Sequence, residues 1–292
     1  MDVAVIGAGT MGSGIAQVCA TAGHGVRLHD ADPGQVERAA GSIRRSLDRF
    51  VAKDRMTGAE ADAVVGRISP TGSIAEAVGP AEVVIETVVE KLDVKHEVFR
   101  QVLAAAPDDA LLGTNTSQLS ITRVGTVLGA DASRLVGMHF FNPPVMMRLV
   151  ELVCGLQTAE STVSRAVAFG EGLGKDTVVC RKDSPGFLTS RISAIVRLEC
   201  LRMLEEGMAS PADIDKALRL GLNFPMGPLE LGDFNGLDTY LYALESLADA
   251  HGSRFRPTVG LRNLVAAGRL GRKTGWGIYR YDEDGTQVEV EP

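Results

Sequence analysis

A chain of 292 residues, 45% hydrophobic and 23% charged, has room for two domains and a large core. Its net charge of −7, with no dominant basic patch, excludes nucleic acid as a partner, and no apolar run reaches the roughly 18 residues of a membrane span. The cysteines Cys19, Cys154, Cys180 and Cys200 lie far apart with no CxxC spacing, which argues against disulfide frameworks and metal sites and for a reduced, cytoplasmic protein.

The first strand, residues 3–6, starts almost at Met1, so no signal segment is expected. It runs into Gly7-Ala8-Gly9-Thr10-Met11-Gly12, then an apolar helix carrying Ile15, Ala16, Val18, Cys19 and Ala22. A second strand, 26–28, leads to Asp30. This is the order of a dinucleotide-binding βαβ unit. Gly7 permits the tight turn, Gly9 lets the backbone approach a pyrophosphate, and Gly12 allows close helix–strand packing. The helix N-terminus offers free N–H groups to phosphate. Thr10 and Met11 belong to the same turn, and Asp30 is placed to accept from both ribose hydroxyls. Its charge, with only Ala31 and Asp32 following, favours NAD over NADP.

A helical stretch over 33–54 carries Arg38, Arg44, Arg45, Arg49 and Lys53, with Arg55 just beyond; Arg45, Arg49 and Lys53 share a face. Strands are expected at 82–86, 110–114, 135–138, 149–153 and 177–180, with helices from about Leu92 and over 163–173. The texture changes at Asp183-Ser184-Pro185-Gly186, which reads as a helix cap with proline in the first turn. Helices follow at 187–207, 211–220 and 237–250, and the polar tail 279–292 is expected to be loosely held. The expected fold is α/β: a Rossmann-type domain with a mostly parallel sheet over 1–183, then an all-helical domain over 184–292, with the active site in the cleft between them.

Oxidising an alcohol by hydride transfer also requires removal of a proton, and histidine is the usual base near neutral pH. Of five histidines, His139 stands out. It ends an apolar strand and opens Phe140-Phe141-Asn142-Pro143-Pro144, where ligands bind in open α/β sheets. Glu151 lies inside the apolar strand Leu149-Val150-Glu151-Leu152-Val153, where an acid is costly unless paired. A His139–Glu151 pair would fix the tautomer and stabilise the imidazolium; the alternative is a structural histidine and an edge glutamate.

The segments 7–16, Asn115-Thr116-Ser117, Gly137-Met138-His139-Phe140-Phe141-Asn142-Pro143-Pro144 through Glu151, Asp183-Ser184-Pro185-Gly186-Phe187, Met226-Gly227-Pro228 and Gly271-Arg272-Lys273-Thr274-Gly275 stand in one order. With them the chain resembles the L-3-hydroxyacyl-CoA dehydrogenase family, nearly end to end, and most closely its bacterial 3-hydroxybutyryl-CoA branch. The resemblance implies NAD-dependent interconversion of (3S)-3-hydroxyacyl-CoA and 3-oxoacyl-CoA. His139 would be the base, Glu151 its orienting acid, and Ser117 a donor to the substrate oxygen at C3. Asn142, Glu90 and Lys95 match cofactor contacts. Read as residues alone, Ser117 could cap a helix at Ile121, Lys95 could be a solvated cation, and Glu90 could match a helix dipole. The family often has an asparagine that bonds the substrate where this chain has Ser190, so altered thioester contacts are expected there, unless Ser190 is merely a small helix residue. Arg49 and Lys53 are candidates for the CoA phosphates, against a solvated helix face. A homodimer through the second domain is also implied. Two other readings stay open: a related dehydrogenase of a free hydroxy acid, such as a sugar acid or a carnitine-like alcohol, and a non-catalytic NAD-binding protein.

Overall fold

The computed structural model describes residues 1–288. The chain divides into two compact units, Met1–Ser184 and a second that begins at Pro185.

In the first unit β1 (Asp2–Ile6), α1 (Thr10–Thr21), β2 (Gly25–His29) and α2 (Pro33–Val51) follow the expected order. Then come α3 (Gly58–Gly66), β3 (Ile68–Pro70), α4 (Ile74–Val78), β4 (Val83–Glu86), α5 (Leu92–Leu103), β5 (Leu111–Thr114), α6 (Ile121–Val124), β6 (Leu135–Phe140), β7 (Leu149–Val153), α7 (Glu160–Gly172) and β8 (Asp176–Cys180). The eight strands form one sheet in the order β3-β2-β1-β4-β5-β6-β7-β8. Its first six strands are parallel, and β7 and β8 run antiparallel to them.

This register places the site. Ile6 pairs with Glu86, Glu86 with Thr114, and Thr114 with Gly137, so β1, β4, β5 and β6 release their following loops along one rim. The strand order reverses between β1 and β4, the switch point at which such sheets bind ligands. The central strands are continuous apolar runs because both faces are covered; Val5, Ile15, Leu47, Ile85, Val136 and Phe169 belong to one core.

The short elements α3, β3 and α4 were not expected. Two helix caps mark them. Thr57 Oγ1 accepts from Glu60 N while the Glu60 carboxylate accepts from Thr57 N, and Ser73 Oγ accepts from Glu76 N. The edge strand β3 has no buried residue, hence no apolar run to read.

The second unit contains α8 (Thr189–Glu205), α9 (Pro211–Gly221), α10 (Pro228–Asn235), α11 (Leu237–His251) and α12 (Val259–Ala266), around Leu198, Leu201, Leu229, Leu237, Leu244 and Leu261. The expected cap at Asp183 and Ser184 is not one. Gly186 (φ +79°) and Phe187 (φ +46°) are both left-handed, which bars a helix until Thr189. Asp183 Oδ2 instead accepts from Ser120 Oγ at 2.5 Å and Thr122 N at 2.7 Å.

The tail is also better held than expected. β9 (Arg280–Tyr281) pairs with β10 (Gln287–Val288), and Asp233 accepts from Ile278 N at 2.9 Å and Tyr279 N at 2.8 Å. Residues 289–292 of that tail lie outside the described residues. Asp215, also buried, accepts from Leu229 N, Glu230 N and the Tyr279 hydroxyl, joining the start of α10 to the tail. All four cysteines are buried and unbridged. Among the described residues, no helix is long and apolar enough to cross a membrane.

Asp215→Ala strands two backbone N–H groups at the start of α10. We expect it to cost about 2–4 kcal/mol in urea unfolding, several times a surface substitution.

Candidate active site

The glycine turn between β1 and α1 is built for a close ligand. Gly7, at φ +103°, lies against Thr87, and Gly7 N donates to His29 O at 2.8 Å. A Cβ on Gly12 would fall 1.8 Å from Gly7 O and 2.6 Å from Thr87 Oγ1, so the third glycine clears both the turn's own carbonyl and the residue that follows β4. A Cβ on Gly9 would meet nothing within 4 Å; there the backbone faces open space. α1 then starts at Thr10 with no side-chain cap and no acid in its first turn, leaving its N–H groups and dipole to an anion. Thr10 is exposed, while Met11 packs against the core. Asp30 is locked by Ala8 N on Oδ2 (2.7 Å) and by Asp32 N on Oδ1 (2.9 Å). The nearby Arg38 is committed to Asp32 and Gln35. An open cradle, an uncapped helix and a fixed carboxylate suit the pyrophosphate and ribose of NAD.

Farther along the rim, His139 and Glu151 are cross-strand partners in the antiparallel β6–β7 pair. His139 Nδ1 lies 2.7 Å from Glu151 Oε2, and both side chains are buried. A carboxylate can only accept, so Nδ1 carries a proton, and in the neutral ring Nε2 presents its lone pair. Nε2 lies 3.0 Å from the hydroxyl of Ser117, an exposed residue on the turn after β5. The Phe141 ring packs 4.5 Å from the imidazole. Ser117 is not a helix cap; Ser120 fills that role for α6. Asn142 is exposed on the loop after β6, beside the cis Asn142–Pro143 bond.

Glu90 and Lys95 belong to a network that the sequence reading resolved only in part. Glu90 Oε1 accepts from the Thr116 hydroxyl, Ser117 N (3.2 Å) and Gln118 N (3.3 Å), clamping the turn that carries Ser117. Lys95 is not a solvated cation. Its side chain is 0% exposed, and Nζ donates to both oxygens of Glu86 (2.8 and 2.9 Å) and to Asn115 O, 3.6 Å from Glu90. Glu86 was missed, although an acid adjoining the apolar run Val83-Val84-Ile85 is close to the signal that singled out Glu151, an acid inside an apolar strand.

The basic stripe is divided. Arg44 is spent on Asp48 and Asp62, whereas Arg49, Lys53 and Arg55 line a cavity of about 280 Å3 with Phe50, Val145 and Met146. Arg45 is exposed outside it. Ser190 lies in the first turn of α8, in the second unit.

A doubly wound sheet with this cradle and a histidine–carboxylate pair on the same rim defines a nicotinamide-dependent oxidoreductase. Residues 2–184 match the model for the 3-hydroxyacyl-CoA dehydrogenase NAD binding domain, and residues 186–281 match that for the C-terminal domain of the same enzymes. A probable 3-hydroxybutyryl-CoA dehydrogenase of Bacillus subtilis is 41% identical over 97% of this chain and 98% of its own length. A mitochondrial hydroxyacyl-coenzyme A dehydrogenase of Rattus norvegicus is 38% identical over 96% and 90%. The crystal structure of (S)-3-hydroxybutyryl-CoA dehydrogenase PaaH1 from Ralstonia eutropha superposes with a TM-score of 0.92 at 40% identity, covering 97% of this chain and 99% of that one. The chain belongs to the 3-hydroxyacyl-CoA dehydrogenase family of NAD-dependent oxidoreductases.

Burial pushes the Glu86 carboxyl up, and Lys95 is the charge that opposes this. Lys95→Met should therefore cost about 3–5 kcal/mol at neutral pH. An acid whose folded-state pKa lies above its unfolded value loses stability as pH rises through that pKa. The deficit should be larger at pH 8 than at pH 5 in urea titrations, and Glu86→Gln in the same chain should reduce it.

Proposed function

We propose that the chain catalyses reversible oxidation of (3S)-3-hydroxyacyl-CoA thioesters to 3-oxoacyl-CoA, with short acyl groups such as 3-hydroxybutyryl preferred. The Ser117–His139–Glu151 line, at 3.0 and 2.7 Å, is the observation that carries this reading. NAD, when bound, supplies the hydride acceptor. Gly7, Gly9, Thr10, Met11 and Gly12 would hold its pyrophosphate, Asp30 its ribose, and Glu90 and Asn142 the nicotinamide end. Lys95 would act on the cofactor side by fixing Glu90.

In the oxidation direction, His139 Nε2 takes the C3 hydroxyl proton, and Glu151 stabilises the imidazolium through Nδ1–H. Ser117 bonds the C3 oxygen and holds it beside Nε2. In reduction the same proton returns from Nε2 to that oxygen. The pair is buried, so few waters compete for it. Ser190 would contact the thioester with one hydroxyl in place of an amide. Arg49 and Lys53 would take the CoA phosphates at the cavity they line.

Short acyl groups are favoured by the names of the bacterial relatives above. The exposed Leu220 and Leu222 at the end of α9 support a homodimer through the second unit. Four unbridged thiols support a reducing, cytoplasmic setting.

NADH oxidation followed with acetoacetyl-CoA beside free acetoacetate tests the substrate class. Turnover should require the CoA ester; equal rates with the free acid would refute it. His139→Gln should lower kcat by about 10² to 10⁴ while NADH binding persists. Neutralising Arg49 and Lys53 together should raise KM for the CoA ester and leave that for a pantetheine ester unchanged. Equal effects on both would remove the phosphate assignment.

A further inference from the structure

The second unit holds a cavity of about 280 Å3, lined by Ile192, Ser193, Val196 and Arg197 of α8 and by Phe224 and Met226. Its wall is chiefly hydrocarbon, and Arg197 is the one charged side chain lining it. Arg197 is 7% exposed. Its Nη2 donates to Ser193 Oγ at 3.2 Å, and its guanidinium stacks 4.5 Å from the centre of the Tyr240 ring. Its Nε is buried without a hydrogen-bond partner, and among the described residues it forms no ion pair.

A buried cation without an anion is costly. Burial presses this guanidinium toward its neutral form; Tyr240 and Cys200 oppose that, and among the described residues no carboxylate does. A carboxylate seated in the cavity would supply both the missing charge and an acceptor. Ser190, Ser193 and Arg197 follow one face of α8 at helical spacing. The bond to Ser193 sets the guanidinium back along the helix, three residues or roughly 4.5 Å from the level of Ser190. That is within the reach of a few methylenes.

We propose that this cavity receives the distal end of an acyl chain that terminates in a carboxylate, with Arg197 as the counter-ion. The inference rests on the acyl-CoA reading above and extends it from short neutral acyl groups to short 3-hydroxyacyl-CoAs that carry a second acid at the far end. The volume and the hydrocarbon wall suit the methylenes of a short chain. The one unpaired cation selects among such chains by charge rather than by length.

The test compares kcat/KM for 3-oxoadipyl-CoA and 3-oxohexanoyl-CoA, which have equal chain length. The wild type should favour the carboxylated ester by about tenfold or more, as a charge-assisted hydrogen bond implies. Arg197→Met should erase the preference through KM, leaving the neutral ester unharmed, and Arg197→Lys should keep part of it. Equal kcat/KM in the wild type would overturn the proposal without recourse to any variant. So would a preference that survives Arg197→Met. A smaller assembly for Arg197→Met than for the wild type by light scattering, with acyl preference intact, would overturn it and assign Arg197 to a contact between copies. No turnover of either ester, with acetoacetyl-CoA active, overturns the proposal alone. No turnover of any CoA ester overturns the acyl-CoA reading itself.

Discussion

The reversal of strand direction between β6 and β7 governs the catalytic rim. A parallel neighbour would have approached β6 by a long crossover. The hairpin instead returns after a short loop and sets Glu151 directly across from His139. An ionised carboxylate in an apolar strand demands a partner, and the imidazole supplies it within one cross-strand pair. The same register leaves Nε2 as the only ring nitrogen able to meet the Ser117 hydroxyl. The chemistry of the ring is thus decided by backbone pairing more than by side-chain freedom.

A second buried ion system performs the equivalent task at the neighbouring strands. Glu86 ends β4, and Lys95 crosses from α5 to bond both its oxygens and the backbone of Asn115. Thr114 donates to the same carboxylate at 2.6 Å. Asn115 Oδ1 in turn accepts from Phe140 N, next to His139. Strands β4, β5 and β6 are therefore tied at their ends by side chains as well as by the ladder. Glu90 and Asp183 hold the turn after β5 from two further sides. Ser117 sits on a loop, but the loop is fastened at Thr116, Ser120 and Thr122.

Much of this was legible in the chain. The buried strands announced themselves as apolar runs; the glycine turn, Asp30 and His139 stood at the carboxyl ends of parallel strands, and Glu151 stood out as an acid inside an apolar run. Three things were hidden for physical reasons. The edge strand β3 buries nothing, so its residues carry no pattern. Phe187 adopts a left-handed backbone that its residue type does not signal, and the start of α8 was therefore placed too early. Asp183 has the chemistry of a cap, and only tertiary packing shows that its acceptor serves α6 and not the helix that follows it. Lys95 is the instructive case. A lysine on a charged helix reads as solvated, and only the acid at the end of β4 makes its burial tolerable.

The four buried thiols have a consequence of their own in a protein that handles thioesters. A thiolate exchanges acyl groups with a thioester, so an ionised cysteine could become acylated by the substrate. Burial pushes the Cys19 thiol up to about 12 and Cys200 to about 11, and it raises Cys154 and Cys180 as well. Near neutral pH these sulfurs stay protonated and weakly nucleophilic. Cys154 follows β7, the strand of Glu151, Cys180 ends the neighbouring β8, and burial disfavours the thiolate of both. Burial thereby keeps the thiolate fraction of all four cysteines low near neutral pH, and with it their tendency to take up acyl groups from thioesters.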